Sequence, residues 1–410
     1  MTSNKTNRIA IGVFLSLLVL FPASYAVTGK VLHSENRENR KYADWPNLTE
    51  LAAVVPENLR KSNEANGMET VCEPLMVAKV ASSDYTKGVE QYYNDRIPYK
   101  NQLNGINAGI KNRLGIGQTL VDYMTYGNVI IGKDDWLFHN GTGIESTMAD
   151  YMKVNLYKES KLQEIAAGYQ ALSDRYKAEG REFLLYIPTN KEQIYSEYMP
   201  DNLIPSSGES RTDQLVDYLH ENTDVHVIYN KEALLDAKTD AYPIFYKYDS
   251  HWNPVGGFIG EQLIRKELTG ESTSLSDLEV KKTEDKEAFD LAAVAGYSPD
   301  TEIPDEWKVF GYKDDVEVEK TREGVEDLDP IIHTDRSNAS DPRKVLVIYD
   351  SFVYNMMEYL DKDFQSVTYL EDTQSAKQFI KNSNPDIVIL EIVERRSNQV
   401  ENVWRELLNP

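Results

Sequence analysis

Two short stretches of this 410-residue chain hold residue types that can support nucleophilic chemistry: Asp249-Ser250-His251-Trp252 and Asp350-Ser351-Phe352. An aspartate two residues before a histidine can accept from the imidazole Nδ1–H and leave Nε2 free as a base. Ser351 follows the apolar run Lys344-Val-Leu-Val-Ile-Tyr349 and precedes a helical stretch. That is the carboxyl end of a strand, where open α/β sheets bind ligands. The amides and positive dipole end of the following helix can stabilise an oxyanion formed when the serine attacks an ester. Each stretch also has a plainer reading. A lone histidine is usually structural, and a serine before a helix usually caps it. Taken together they favour chemistry, with Ser351 as nucleophile, His251 as base and Asp249 as orienting acid.

The surrounding pattern predicts the elements that must bring them together. From Leu156 onward, amphipathic helices alternate with apolar strands at 182–188, 224–229, 344–349, 366–370 and 386–390. Helices are expected at 156–179, 211–222, 254–268 and 373–382, with Asn253 capping the third and Pro254 in its first turn. Continuous apolar strands between such helices predict a parallel sheet covered on both faces. Residues 128–138 read as a hairpin turning at Gly132-Lys133-Asp134, and 85–114 as helical. Residues 270–340 interrupt the pattern with 20 acidic and 8 basic residues and read as a surface insertion, with strands at 307–312 and 316–319. The ligand spacing of a calcium-binding EF-hand loop is absent from it, and a solvated acidic face is the expectation.

A formal net charge of -23 argues against nucleic acid, which requires a basic footprint. Met1 to Arg8 is polar and basic, and Ile9 to Val27 runs without a charge, ending in Pro22 and Ser24-x-Ala26. Such a segment is either a signal peptide or an uncleaved membrane anchor of roughly 20 residues. Either one exports the remainder, to the outer face of the cell membrane or beyond it. Cys72, the only cysteine, reads as a small buried apolar residue, so no internal disulfide staples the domain. The expected organisation is an anchor or signal at 1–28, a stem at 29–85, a main domain at 86–400 and a tail at 401–410. No phosphate-cradling Gly-rich loop or zinc-ligand spacing is present, and no metal or cofactor is expected.

Asp-x-His-Trp followed about a hundred residues later by Asp-Ser-Phe resembles the SGNH-hydrolase-like proteins of the AlgX/AlgJ alginate O-acetylation group, and the related DHHW family. Four further stretches resemble that pattern in order: Asn94-Asp95-Arg96-Ile97-Pro98-Tyr99, Gly132-Lys133-Asp134-Asp135-Trp136-Leu137-Phe138, Ile187-Pro188-Thr189-Asn190-Lys191 through Tyr195, and Pro385-Asp386 through Glu391 with Glu394-Arg395. The resemblance implies a three-layer α/β domain in which the histidine block precedes the serine block, as in a circular permutation of ordinary SGNH hydrolases. It implies O-acetyl transfer to an extracellular or cell-wall polysaccharide, with the acetyl group delivered by a multi-pass membrane acyltransferase. Carbohydrate esterase activity and a non-catalytic, glycan-binding envelope role are the competing implications. Three positions differ from the pattern: Tyr349 stands in place of glycine, Ser250 is the second letter of Asp-His-His-Trp, and the oxyanion asparagine block has no counterpart. Arg395 is the substitute candidate for oxyanion charge, against a structural Glu394–Arg395 ion pair. Asn190, Lys191 and Tyr195 are candidate pocket-lining residues.

Overall fold

Strands whose residues are apolar on both sides can sit only between two layers of helix, and that pattern places the core. The structure, a computed structural model, describes residues 49–52, 75–78, 87, 89, 92, 129–141, 147–295, 297, 302–325, 328–335, 339, 341–371 and 373–409. The expected anchor at 1–28, Cys72 with nearly all of the stem, and the 94–99 motif lie outside these residues. Among the described residues no helix is long and apolar enough to cross a membrane.

The chain divides into two units, Met1–Leu103 and Asn104–Pro410. In the first, β1 (Thr49–Ala52) pairs antiparallel with β2 (Leu75–Ala78). In the second, the first described element is the expected hairpin, β3 (Val129–Ile131) and β4 (Leu137–His139). Its turn is left-handed at Asp134 and Asp135, with φ of 50° and 60°, a conformation aspartate tolerates. The remaining strands are β5 (Glu182–Ile187), β6 (His226–Tyr229), β7 (Glu279–Lys286), β8 (Asp305–Phe310), β9 (Glu319–Val325), β10 (Leu328–Asp335), β11 (Asp341–Ile348), β12 (Phe364–Leu370) and β13 (Ile387–Glu391). Among the described residues of this unit the helices are α1 (Thr147–Tyr151), α2 (Glu159–Ala178), α3 (Lys191–Ile194), α4 (Arg211–Asn222), α5 (Lys231–Ala237), α6 (Pro254–Thr269), α7 (Asp290–Ala295), α8 (Tyr354–Leu360), α9 (Thr373–Ser383) and α10 (Ser397–Leu408).

Seven strands form the main sheet in the order β6-β5-β13-β11-β12-β10-β9. The first five are parallel, and β10 and β9 extend them antiparallel. Successive residues of the parallel strands feed opposite cores. Leu184, Tyr186, Val345, Val347, Ile387 and Ile389 pack toward α6 and α8. Phe183, Leu185, Leu346, Ile348, Val388 and Leu390 pack toward α2, α4, α9 and α10.

The sheet is therefore mixed rather than wholly parallel. The difference comes from 270–340, whose β9–β10 pair carries too many charges to signal a sheet strand. The strand expected at 316–319 begins only at Glu319. The expected tail at 401–410 is largely α10, whose Val400, Val403 and Leu407 are buried against the sheet layer. Tyr169 on α2 donates to the Val400 carbonyl at 2.6 Å.

Candidate functional site

All the strand ends that matter lie at the carboxyl edge of the parallel sheet. Ser351 opens a short 3-10 turn (Ser351–Val353) directly after β11. Capping there falls to Asp350, not to Ser351: its Oδ1 accepts from Phe352 N at 3.1 Å and its Oδ2 from Val393 N at 2.8 Å. Beneath it, Asp350 N donates to the buried Glu391 Oε2 at 2.8 Å. Burial and the Asp350 charge hold Glu391 well above the ordinary carboxylate range. Relieved of capping, the Ser351 hydroxyl lies 2.7 Å from His251 Nε2.

His251 sits in the loop that ends at α6. Asn253 caps that helix, its Oδ1 accepting from Val255 N at 3.0 Å and Gly256 N at 3.2 Å. The His251 Nδ1 lies 2.7 Å from Asp249 Oδ1, which also accepts the His251 backbone N–H at 2.9 Å. Burial would raise Asp249, but the hydrogen bond and charge of His251 outweigh it and hold the carboxyl near 2. An ionised Asp249 fixes the tautomer: Nδ1 carries the hydrogen, and Nε2 is left to accept from Ser351. Phe352 packs on the imidazole, with ring centroids 4.8 Å apart.

Two helix heads meet at this point. α6 follows the histidine and α8 follows the serine, and Asn355 Nδ2 donates to the Trp252 carbonyl at 2.6 Å. A hundred residues of sequence separate His251 from Ser351, and this crossing closes the gap.

The remaining candidates divide. Arg395 stands beside the pair, with Nη2 3.4 Å from Ser250 Oγ and its guanidinium 4.8 Å from the Phe352 ring centroid. Glu394 turns the other way, accepting from Tyr229 Oη at 2.6 Å and Asn190 N at 2.7 Å. Arg395 thus faces the site while its neighbour does not. Asn190 is buried there, and neither of its side-chain polar atoms has a partner. Lys191 and Tyr195 are corrections, because both are spent on the histidine loop rather than on a pocket. Lys191 Nζ donates to the carbonyls of Tyr246 at 3.0 Å and Asp249 at 2.6 Å. Tyr195 Oη accepts from Ile244 N at 3.0 Å. The amides after Ser351 are a further correction to the expected oxyanion donors: Phe352 N is taken by Asp350 Oδ1 and Val353 N by the Asp350 carbonyl.

Three residues escaped the sequence reading. His139, at the end of β4, lies near Arg395 and His251; burial first, then these neighbours, lower it to about 3. Its motif ran only to Phe138, and one further residue would have included it. Glu192, inside the Asn190-to-Tyr195 stretch, is buried and raised to about 8. Asp290 comes from the acidic segment, and no local signal marks it. It forms, with Asp249 and His251, a compact group of metal-ligating types, whose atoms are occupied by hydrogen bonds to one another and to Ser250.

Buried carboxyls surround this site, and they set a pH dependence. Burial raises Glu192 to about 8 and Glu287 and Glu394 to about 7, from 4.5. The folded chain keeps these protons to pH 7 or above, while the unfolded chain loses them near 4.5. Folding therefore binds protons across that interval, and stability falls as pH rises through it. Lys191, lowered to about 7 chiefly by burial, acts in the reverse sense above pH 7 and offsets part of the loss. The melting temperature at pH 5.5 is expected to exceed that at pH 8 by about 5 °C or more. A flat or rising melting curve series over that range contradicts these protonation states.

The fold is that of an SGNH-hydrolase-like α/β protein. Residues 129–336, just over half of the chain, match the SGNH hydrolase-like domain of the acetyltransferase AlgX, and the chain belongs to that family. A probable alginate O-acetylase AlgJ of Pseudomonas syringae pv. tomato is 24% identical over 186 residues, covering 45% of this chain and 42% of that protein. The chain thus spans less than half the length of the curated relatives it matches. Among solved structures, Bacillus cereus PatB1 with a sulfonyl adduct aligns with a TM-score of 0.47 at 17% identity, over 65% of this chain and 96% of its own. A DHHW family protein from Eubacterium siraeum aligns at 0.45 and 12%, over 62% and 90%.

Proposed function

We propose that this chain is an exported serine acyl-ester enzyme that transfers an acetyl group to hydroxyls of an extracellular or cell-wall polysaccharide. The observation that carries the reading is the unbroken hydrogen-bonded path from Ser351 through His251 to Asp249, 2.7 Å at each step. In the first half-reaction Ser351 Oγ attacks the acyl carbonyl while Nε2 takes its proton. Nε2 then returns that proton to the departing alcohol, leaving acetyl-Ser351. A sugar hydroxyl next gives its proton to Nε2 and attacks the acetyl carbonyl, and the proton returns to Ser351 as the new ester leaves. Arg395 supplies positive charge beside the developing oxyanion, a service the amides of Phe352 and Val353 are not free to give.

The acetyl group and the polysaccharide acceptor are carried over from relatives named as an acetyltransferase and an alginate O-acetylase. Export rests on the uncharged run Ile9 to Val27. With acetyl-coenzyme A confined inside the cell, a multi-pass membrane acyltransferase is the partner that would deliver the donor. The test is mass spectrometry after incubation with an acetyl ester and an oligosaccharide acceptor. Acetylation of both the Ser351 peptide and the oligosaccharide is expected. Acetate release with an unmodified acceptor would mean an esterase. A Ser351 peptide that never gains acetyl would leave only a non-catalytic, glycan-binding role.

A further inference from the structure

We infer that residues 287–292 form a strap that holds the Asp249–His251 loop in its working position, with Asp290 as the positioning residue through which it acts. The inference rests on the acyl-transfer reading above. The loop is gripped from two sides. On one, Lys191 Nζ reaches the carbonyls of Tyr246 and Asp249. On the other, the strap runs alongside it and bonds to nearly every residue in turn. Lys247 N donates to Glu287 Oε2 at 3.1 Å, and Ala292 N to the Tyr248 carbonyl at 3.1 Å. Asp290 N donates to Asp249 Oδ2 at 2.9 Å. Ser250 N and Ser250 Oγ donate to the two Asp290 oxygens, each at 2.8 Å. The strap is itself fixed, by Glu287 N on the Pro304 carbonyl at 3.0 Å and by Leu291, Ala292 and Ala295 packed with Leu137 and Tyr248.

Asp290 does two things in this arrangement. Its backbone N–H occupies the second oxygen of Asp249, so that only Oδ1 addresses the imidazole. Its own Oδ2 stands 3.9 Å from His251 Nδ1, a second negative charge for the imidazolium that forms when Nε2 takes the serine proton. The other charged or titratable groups around the ring are Asp249 on its own loop, Arg395 after β13, neutral His139 on β4, and Lys191 reaching the Asp249 carbonyl from α3. Asp249 and Asp290 place two carboxylates on the Nδ1 side of the ring, with the Arg395 guanidinium and the Lys191 ammonium as the neighbouring cations.

Asp290→Asn preserves shape and removes charge; Asp290→Ala also strips both bonds from Ser250. The full chain is assayed with an acetyl ester beside wild type and Ser351→Ala. For Asp290→Asn, kcat is expected to fall about tenfold with KM within about twofold, and the acid limb of the pH profile to move about half a unit lower or more. For Asp290→Ala the expected fall is about a hundredfold. A readout independent of turnover is the downfield Nδ1–H proton resonance of His251, expected to shift in the Asn variant and to broaden by exchange in the Ala variant. Should wild type and Ser351→Ala turn over alike, the acyl-transfer reading fails, and the resonance still judges the strap. A resonance unmoved in both variants, or an unmoved pH profile in an active enzyme, overturns the inference.

Discussion

Replacing Ser351 with alanine is expected to lower kcat/KM toward an acetyl ester by at least about 10³-fold, with the fold intact. The fold survives because Ser351 caps nothing: Asp350 holds the turn through Phe352 N and Val393 N, and it is untouched by the change. The loss is large because no neighbouring hydroxyl is in line with the base; His251 Nε2 bonds Ser351 at 2.7 Å, and Ser250 Oγ lies 3.4 Å from the other ring nitrogen. His251→Ala is expected to lose nearly as much, and the double variant little more than either, since the two act as one unit. Release of 4-nitrophenol from its acetate, with melting temperatures measured in parallel, checks both points. Equal turnover by Ser351→Ala and wild type would end the nucleophile assignment.

The second large effect concerns stability. Gly257→Val is expected to destabilise the chain by about 3 kcal/mol or more, to the point of poor soluble yield. A Cβ at Gly257 would lie 2.0 Å from the Asn355 carbonyl oxygen and 2.5 Å from its carbon. Both atoms are backbone, so no rotamer change relieves the overlap. The helices α6 and α8 must separate. They carry the histidine and the serine at their heads, so the same displacement opens the Ser351–His251 distance. Gly257→Ala brings the same Cβ overlap without valine's two methyl groups, so it too is expected to lower the melting temperature, by less than valine does, and to lower turnover by about a hundredfold if it folds. Calorimetry and ester turnover measured on the two variants separate these outcomes. A valine variant as stable as wild type would mean that the helices are not in backbone contact.

Much of this arrangement was legible in the sequence, for identifiable reasons. Apolar runs such as Lys344 to Tyr349 and the Asn253-Pro254 start signal act locally, so β11 and α6 could be read from neighbours alone. Ser351 and His251 were legible because each sits at an element boundary, where residue type has a limited set of uses. Lys191 misled because a charged side chain is normally taken to seek solvent or ligand, whereas here it is buried on carbonyl oxygens. The amides after Ser351 misled because a helix start is expected to leave its first N–H groups free, whereas Asp350 takes those of Phe352 and Val353. Asp290 was hidden for a different reason. Its meaning comes wholly from what it touches across the fold, forty residues from Ser250. Composition marked its surroundings only as a charged surface.

The segment 270–340 also supplies β10, which covers one edge of β12 along residues 366–369. Excising it to obtain a shorter catalytic unit would leave that strand with a row of unanswered amide and carbonyl groups facing solvent. Bare edges of this kind recruit other copies of the same strand. A minimal version of this domain is therefore bounded below by self-association as well as by lost activity, and the acidic stretch serves as the guard rail of the sheet.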